Sequence, residues 1–262
     1  MILYFSGTGN TRHCAELLAA KLDEATHELT TSELRQPAEA KISIAGGQRL
    51  IFMFPTYSWG IPPVVEGFLR HADFDADPGT EVWMVTTCGD DIGKTATMWR
   101  RIMEGRDFNV CSAFSIQMPN TYVCMKGFDV DSPDTETAKI KALPARIDLI
   151  ASRIAAHATA GGDDVVTGRY AWIKSHIIRP WFIRHAMSSR PFYASDHCNN
   201  CGLCRRSCPM ENIIPGNGAR PAWGNHCTMC LRCYHICPTH AIHYGKASDG
   251  KGQYRRYIKT ER

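Results

Sequence analysis

The chain has 262 residues, 44% of them hydrophobic and 21% charged, which suits a large domain with an ordinary core and a second, smaller one. Its net charge of +4 hides a division: residues 1–160 carry 15 Lys and Arg against 20 Asp and Glu, and residues 161–262 carry 15 against 6. No apolar run approaches the roughly 20 residues of a membrane helix, and Met1–Ser6 has neither a basic n-region nor a small-residue cleavage site. A soluble, cytoplasmic protein is expected, in a reducing compartment that excludes a disulfide framework.

The apolar run Met1–Phe5 reads as a strand, Ser6-Gly7-Thr8-Gly9-Asn10-Thr11 as a small-residue loop, and Arg12–Leu22 as a helix with apolar spacing at Ala15, Leu18, Ala19 and Leu22. Such a loop aims backbone N–H groups and the positive end of the helix dipole at an anion, with the Ser6, Thr8 and Thr11 hydroxyls as further donors. It lacks the Gly-Lys-Ser/Thr ending of a nucleoside-triphosphate loop and the G-x-G-x-x-G of a dinucleotide fold. A tight βα turn without a ligand is the alternative.

Two more strands follow. Arg49–Phe54 ends in Pro55-Thr56-Tyr57-Ser58-Trp59-Gly60, and Glu81–Thr86 ends in Thr87-Cys88-Gly89-Asp90, with helical segments at Val64–His71 and Lys94–Met103. In an open parallel sheet the carboxyl edge of the strands is where ligands bind, and an aromatic pair beside glycines suits a flat ring. Tyr57 and Trp59 as ordinary aromatics, and Cys88 as a small loop residue, are the alternatives. Ser115–Val123 reads as the fifth strand running into a loop, where Asn120 and Tyr122 serve turn chemistry in preference to a ligand.

Thr135–Ala158 has helical periodicity and should close the sheet, and Gly161–Asp164 marks a domain boundary. The expected division is 1–160, a connector over 161–195, and 196–262. The connector segment Arg169–Arg184 is both aromatic and basic. The preferred reading packs its apolar side between the domains and leaves Lys174, Arg179 and Arg184 in water; docking on a membrane surface or an acidic partner is the other.

Eight of the twelve cysteines form two copies of one pattern, Cys198-x-x-Cys201-x-x-Cys204-x-x-x-Cys208-Pro and Cys227-x-x-Cys230-x-x-Cys233-x-x-x-Cys237-Pro. This is the bacterial two-cluster ferredoxin spacing, in which a tight loop wraps three thiolates around a cubane and the fourth arrives from elsewhere. Zinc sites use two separated pairs and leave the third cysteine of each run without a role. Two 4Fe–4S clusters are expected, with Cys198, Cys201, Cys204 and Cys237 on one and Cys208, Cys227, Cys230 and Cys233 on the other, as bacterial two-cluster ferredoxins exchange their last cysteines. Each oxidised cubane with its thiolates adds about −2, so much of the basic charge of this half offsets the clusters and gives no case for nucleic acid. His235 is expected to tune a cluster by hydrogen bonding, Ile213 and Ile242 to shield the clusters from water, and Lys251–Arg262 to be a solvated basic tail.

Ser-Gly-Thr-Gly-Asn-Thr resembles the phosphate loop of flavodoxins, and Pro-Thr-Tyr-Ser-Trp-Gly with Thr-Cys-Gly-Asp resembles their two flavin-ring loops. With the paired cysteine runs, the chain resembles the flavodoxin and ferredoxin fusion proteins of anaerobes over about residues 1–156 and 197–244. The resemblance implies a doubly wound, five-stranded parallel α/β sheet followed by a small α+β ferredoxin-like domain. It implies FMN held by Ser6, Gly7, Thr8, Gly9, Asn10 and Thr11 at the phosphate. Pro55, Thr56, Tyr57, Ser58, Trp59 and Gly60 would line the ring, as would Thr87, Cys88, Gly89 and Asp90. Trp59 or Tyr57 would stack on it, and Gly60 would let a peptide turn toward the flavin.

The expected function is electron transfer between a low-potential donor and a flavin, with a redox partner protein such as a ferredoxin or an oxidoreductase. The alternative is an FMN-dependent reductase of a small quinone, enone or nitro compound fed by the clusters, and a redox sensor is a third reading. No catalytic residue is singled out.

Overall fold

In a computed structural model the structure describes residues 1–157, 162–216, 218 and 220–259. The amino-terminal elements are β1 (Ile2–Tyr4), α1 (Asn10–Leu22), β2 (Thr26–Glu28), α2 (Thr31–Arg35), β3 (Lys41–Ser43), β4 (Leu50–Pro55), α3 (Pro63–His71), β5 (Asp73–Asp75), β6 (Glu81–Cys88), α4 (Thr95–Glu104), β7 (Asn109–Gln117) and α5 (Pro133–Ala155). Five strands form one parallel sheet in the order β2-β1-β4-β6-β7, and β3 pairs with β5 beside it. The fifth strand begins at Asn109, six residues before the Ser115 expected from sequence.

Alternation along the strands sends successive side chains to opposite faces, and both faces are covered. Leu3, Phe52, Phe54, Val82 and Met84 meet Val65, Phe68 and Leu69 of α3 and Trp99, Ile102 and Met103 of α4. On the other face Ile2, Tyr4, Ile51, Met53, Trp83 and Val85 meet Cys14, Ala15 and Leu18 of α1 and Leu143, Ile147, Ile150 and Ile154 of α5. Two helices on each face make the three layers of a doubly wound fold.

The expected boundary begins at Gly161, which lies outside the described residues, but the chain just after it returns to the sheet. Asp164 bridges to Phe114 of β7 in parallel, and the Asp163 carboxylate accepts the Ala113 N–H at 2.9 Å. The Arg146 guanidinium holds Asp164 at 2.6 Å. The connector then forms a continuous helical stretch from α6 (Ala171–Ile173) through a π-type turn at Lys174–Ile178 to α7 (Arg179–His185).

The carboxyl-terminal part is small: β8 (Phe192–Ala194), α8 (Leu203–Arg206), β9 (Ile213–Pro215), β10 (Pro221–Trp223), α9 (Arg232–Ile236) and β11 (Ile242–Tyr244), with antiparallel pairs β9–β10 and β8–β11. Its core joins Phe192, Ile213, Leu231, Tyr234, Ala241 and Ile242 to Val123 and Cys124 from the loop after β7. The two halves therefore share a core and are not beads on a linker. The tail also departs from the expected solvated end: Tyr254 is 3% exposed, Lys251 donates to the Val123 carbonyl at 2.9 Å, and Arg256 and Lys259 pair with Glu136 and Glu16 at 2.8 Å. Thr260, Glu261 and Arg262 lie outside the described residues.

Candidate redox site

The loop Ser6–Thr11 leaves β1 and enters α1 with Gly9 left-handed at φ 95°. Among the described residues no protein group accepts a hydrogen bond from the backbone N–H groups of Gly7, Thr8, Gly9, Asn10 or Thr11, and the buried Ser6 hydroxyl is unpartnered. Buried donors of this kind carry a cost unless an acceptor arrives, and an anion at the start of α1 supplies it. The donor set fits a phosphate group. Thr11 bonds Thr87 through their hydroxyls at 2.7 Å, joining this loop to the one after β6. The Asn10 side chain is spent on the protein, donating to the Pro119 carbonyl at 3.0 Å and accepting from the Tyr254 hydroxyl at 2.7 Å.

The second half of the chain sits directly on this loop. A Cβ on Gly7 would lie 2.8 Å from the Cys230 carbonyl oxygen, and one on Gly9 would overlap the Tyr257 carbonyl. Arg232 donates from Nε to the Gly7 carbonyl at 2.6 Å and from Nη1 to the Ser207 carbonyl at 3.3 Å. These glycines permit docking as well as loop geometry.

After β4, Tyr57 and Gly60 exchange backbone hydrogen bonds at 2.9 and 3.2 Å, and Ser58 and Trp59 between them both have positive φ, the signs of a type I′ turn. The strained residues are thus Ser58 and Trp59. Gly60 has no left-handed φ; it is glycine where the Arg179 guanidinium fills the space of a side chain. The Ser58 hydroxyl is buried without a partner, while the Trp59 carbonyl accepts from the Ser175 hydroxyl at 2.7 Å. Burial, then the Cys230 and Cys227 thiols, raise the Tyr57 hydroxyl well above its ordinary pKa. Tyr57 thus carries the loop after β4 toward one cysteine set.

Pro55 and Thr56 close the end of β4, with Thr56 N–H donating to the Thr87 carbonyl at 2.7 Å. In the loop after β6, Cys88 is 6% exposed and its thiol is pushed up to about 12 by burial and the nearby Asp91 and Asp90. Gly89 has the Asn120 amide where a Cβ would be, and Asp90 is exposed. Asn120 in turn donates to Asp131 at 2.9 Å, in keeping with a turn role.

The cysteines gather into two groups. Cys204 lies within electrostatic reach of Cys237, Cys201 and Cys198, and Cys233 within that of Cys230, Cys227 and Cys208. Among the described residues no three Cys, His, Asp or Glu side chains converge as they would on a single ion. Thiolates on a cubane bind separate iron corners and so stand apart. Burial pushes the Cys204 and Cys227 thiols up to about 11 and Cys230 to about 12, so a cationic group is needed to hold them as thiolates. Backbone N–H groups of Asn212, Met229 and Ala241 point at the sulfurs of Cys208, Cys227 and Cys237 at 3.3–3.4 Å. A cavity bounded by Cys208, Cys227, Cys230 and Cys233 is walled by Phe192, Met210, Ile213, Trp223 and Leu231. Cys201, by contrast, is exposed.

His235 does not point at a sulfur. Its Nε2 bonds the Thr121 carbonyl at 2.8 Å, and its Nδ1 accepts the Tyr254 N–H at 3.1 Å. Burial holds it neutral, with its pKa lowered to about 4, and it fastens the β7 loop to the tail. Arg179, Arg232 and Tyr257 also shape the site, and no motif or periodicity marks them in the sequence.

A family model for a flavodoxin domain matches residues 1–105, and one for a 4Fe–4S dicluster domain matches residues 197–242. No curated protein matches the chain. Among solved structures, a putative flavoprotein from Bacteroides uniformis is 16% identical, with 54% of this chain and 96% of that one covered and a TM-score of 0.34. The rubredoxin oxygen:oxidoreductase of Desulfovibrio gigas is 18% identical, with 61% and 36% covered and a TM-score of 0.34. The azoreductase AzrA is 10% identical, with 58% and 99% covered and a TM-score of 0.35. The two family matches, on a five-stranded parallel sheet and a small antiparallel unit, make this chain a flavodoxin domain joined to a 4Fe–4S dicluster domain, the architecture of a flavodoxin/ferredoxin fusion.

Proposed function

We propose that the chain is an electron carrier that links a low-potential partner protein to FMN through two 4Fe–4S clusters. When bound, FMN exchanges one or two electrons and each cluster exchanges one, so the pair connects single-electron donors with a two-electron carrier. Ser6 and the N–H groups of Gly7–Thr11 would hold the flavin phosphate, with Tyr57, Ser58, Trp59 and Thr87–Asp90 about the ring. Cys198, Cys201, Cys204 and Cys237 would hold one cluster and Cys208, Cys227, Cys230 and Cys233 the other.

The observation that carries this reading is the seat of Cys230 on Gly7, with Tyr57 beside the same thiol. It brings one cysteine set to the phosphate loop without a linker. The other set presents Cys201 at the surface, where a partner can reach it. Asn120, Tyr254, Tyr257 and Arg179 pack against Gly89, Asn10, Gly9 and Gly60 of these loops, which favours a carrier over a reductase with a broad substrate pocket.

The test is anaerobic mixing of the fully loaded protein with reduced low-potential ferredoxin and, separately, with NADH and NADPH, while flavin absorbance is followed. Prompt bleaching by ferredoxin alone is expected. Rapid bleaching by a nicotinamide, with none by ferredoxin, would overturn the carrier reading in favour of an enzyme that takes hydride directly.

A further inference from the structure

The helical stretch Ala171–His185 turns Lys174, Ser175 and Arg179 inward, while His176, Arg184 and His185 are exposed. Lys174 pairs with Asp91 at 2.6 Å and lies over the Trp59 ring at 5.1 Å. The Ser175 hydroxyl, 2% exposed as a residue, accepts the Lys94 N–H at 2.8 Å. Arg179 is 7% exposed and bonds the Ile61 carbonyl and Glu66. This reverses the expectation that Lys174 and Arg179 stay in water.

Most of the large apolar residues are left outside, although Phe182 meets the Tyr122 ring at 5.8 Å. Tyr170 is 66% exposed, Trp172 58%, Ile177 55% and Trp181 55%, with Ile173 and Ile178 also exposed between them. A run of exposed large apolar side chains along a segment whose Lys174, Ser175 and Arg179 are already spent on the protein marks a contact surface. We propose that this face docks on the surface of an anionic lipid bilayer.

Charge selects that occupant. Residues 165–195 contain no Asp or Glu but carry Arg169, Arg184 and Arg190 in addition to the two inward cations. Among the described residues none of those three arginines forms an ion pair; Arg169, in the turn before the stretch, lies 5.4 Å from the Tyr170 ring, and Arg184 follows Trp181 by three positions in α7. Two tryptophans and a tyrosine have rings that are apolar in the body and polar at one edge, which suits the headgroup layer. Uncompensated guanidinium groups beside them are drawn to anionic headgroups. No helix among the described residues is long and apolar enough to cross a membrane, and a stretch pinned along one side by Lys174, Ser175 and Arg179 lies flat in the interface. Docking there would hold the Tyr57–Gly60 loop just behind the lipid surface. The proposal does not depend on the redox reading.

The full chain, loaded with its clusters, is co-sedimented with vesicles of phosphatidylcholine alone and of phosphatidylcholine mixed with phosphatidylglycerol, at low and high salt. Binding to the anionic vesicles is expected, weakened by salt. The pair Trp172→Ser/Trp181→Ser should lower the partition coefficient about tenfold or more, and the pair Arg169→Gln/Arg184→Gln should do so on anionic vesicles. Unchanged visible spectra of the variants show that they fold. Absence of binding at low salt, or binding indifferent to both pairs, overturns the proposal. So does a dimer in solution that Trp172→Ser/Trp181→Ser dissolves while vesicles stay bare, since the face is then covered by a second copy.

Discussion

At position 7 a hydrogen is all the packing admits. The Cys230 carbonyl oxygen stands 2.8 Å and its Cβ 2.9 Å from where a side chain would begin, and both are fixed by the cysteine loop around them. Gly7→Ala should therefore push the two halves apart and lower stability by about 1–3 kcal/mol, the usual effect of overpacking. Chemical denaturation checks this, and an unchanged midpoint would show that the contact yields freely. Charge at the other cysteine set offers a second residue-level test. Arg205 and Arg206 are exposed beside Cys204, and Arg206 also bonds the Cys201 carbonyl at 3.0 Å. Reversing both to Glu should slow association with an acidic ferredoxin about tenfold or more at low salt, with the difference shrinking as salt is added. Stopped-flow rates across an ionic-strength series read this directly. The eight cysteines were legible because their spacing is a chemical requirement. Arg232 was not, although it lies between Cys230 and Cys233, because its acceptor at Gly7 is 225 residues away and leaves no local pattern.

Among the elements, α1 and the tail act as a pair. The His13 ring stacks on Tyr257 at 3.9 Å, and the Arg12 guanidinium bonds the Tyr257 carbonyl. Burial lowers the His13 pKa; Arg12 adds to that and Glu16 opposes it. A histidine whose folded pKa is below its unfolded value favours the fold fully above about pH 6.5, and that contribution is lost as pH falls. The tail should therefore become easier to cleave by a protease as pH drops below about 6.5, and His13→Phe, which keeps the stack, should lessen that dependence, leaving the part that His235 contributes through the Tyr254 N–H. Equal cleavage of both proteins at every pH would show that protonation of His13 does not loosen the tail. The helices on either side of the sheet were legible because one face of each is buried against strands of regular alternation. The connector misled because its inward polar residues are satisfied by Asp91, Glu66 and the carbonyls of Trp59 and Ile61, partners that periodicity cannot reveal. β2, three residues long at the sheet edge, offers too few positions for an alternation to register.

At the scale of the molecule the two halves are interlocked. Val123 and Cys124 of the first belong to the core of the second, Met210 of the second belongs to the core of the first, and the tail crosses back over α1. Both family signatures could be read in sequence, but their joint packing could not, since it rests on Gly7, Arg232, His235 and Tyr254 meeting from distant parts of the chain. That packing is the ground for expecting electrons to pass between the cysteine sets and a flavin held at the loops after β1, β4 and β6. Anaerobic stopped-flow reduction by low-potential ferredoxin, in the natural protein and in Cys201→Ala, tests it most directly. In the natural protein flavin bleaching should follow reduction of the clusters. In the variant, flavin should stay bound but bleach at least about tenfold more slowly, about 1.4 kcal/mol in barrier. Equal flavin bleaching rates in the two proteins would contradict it.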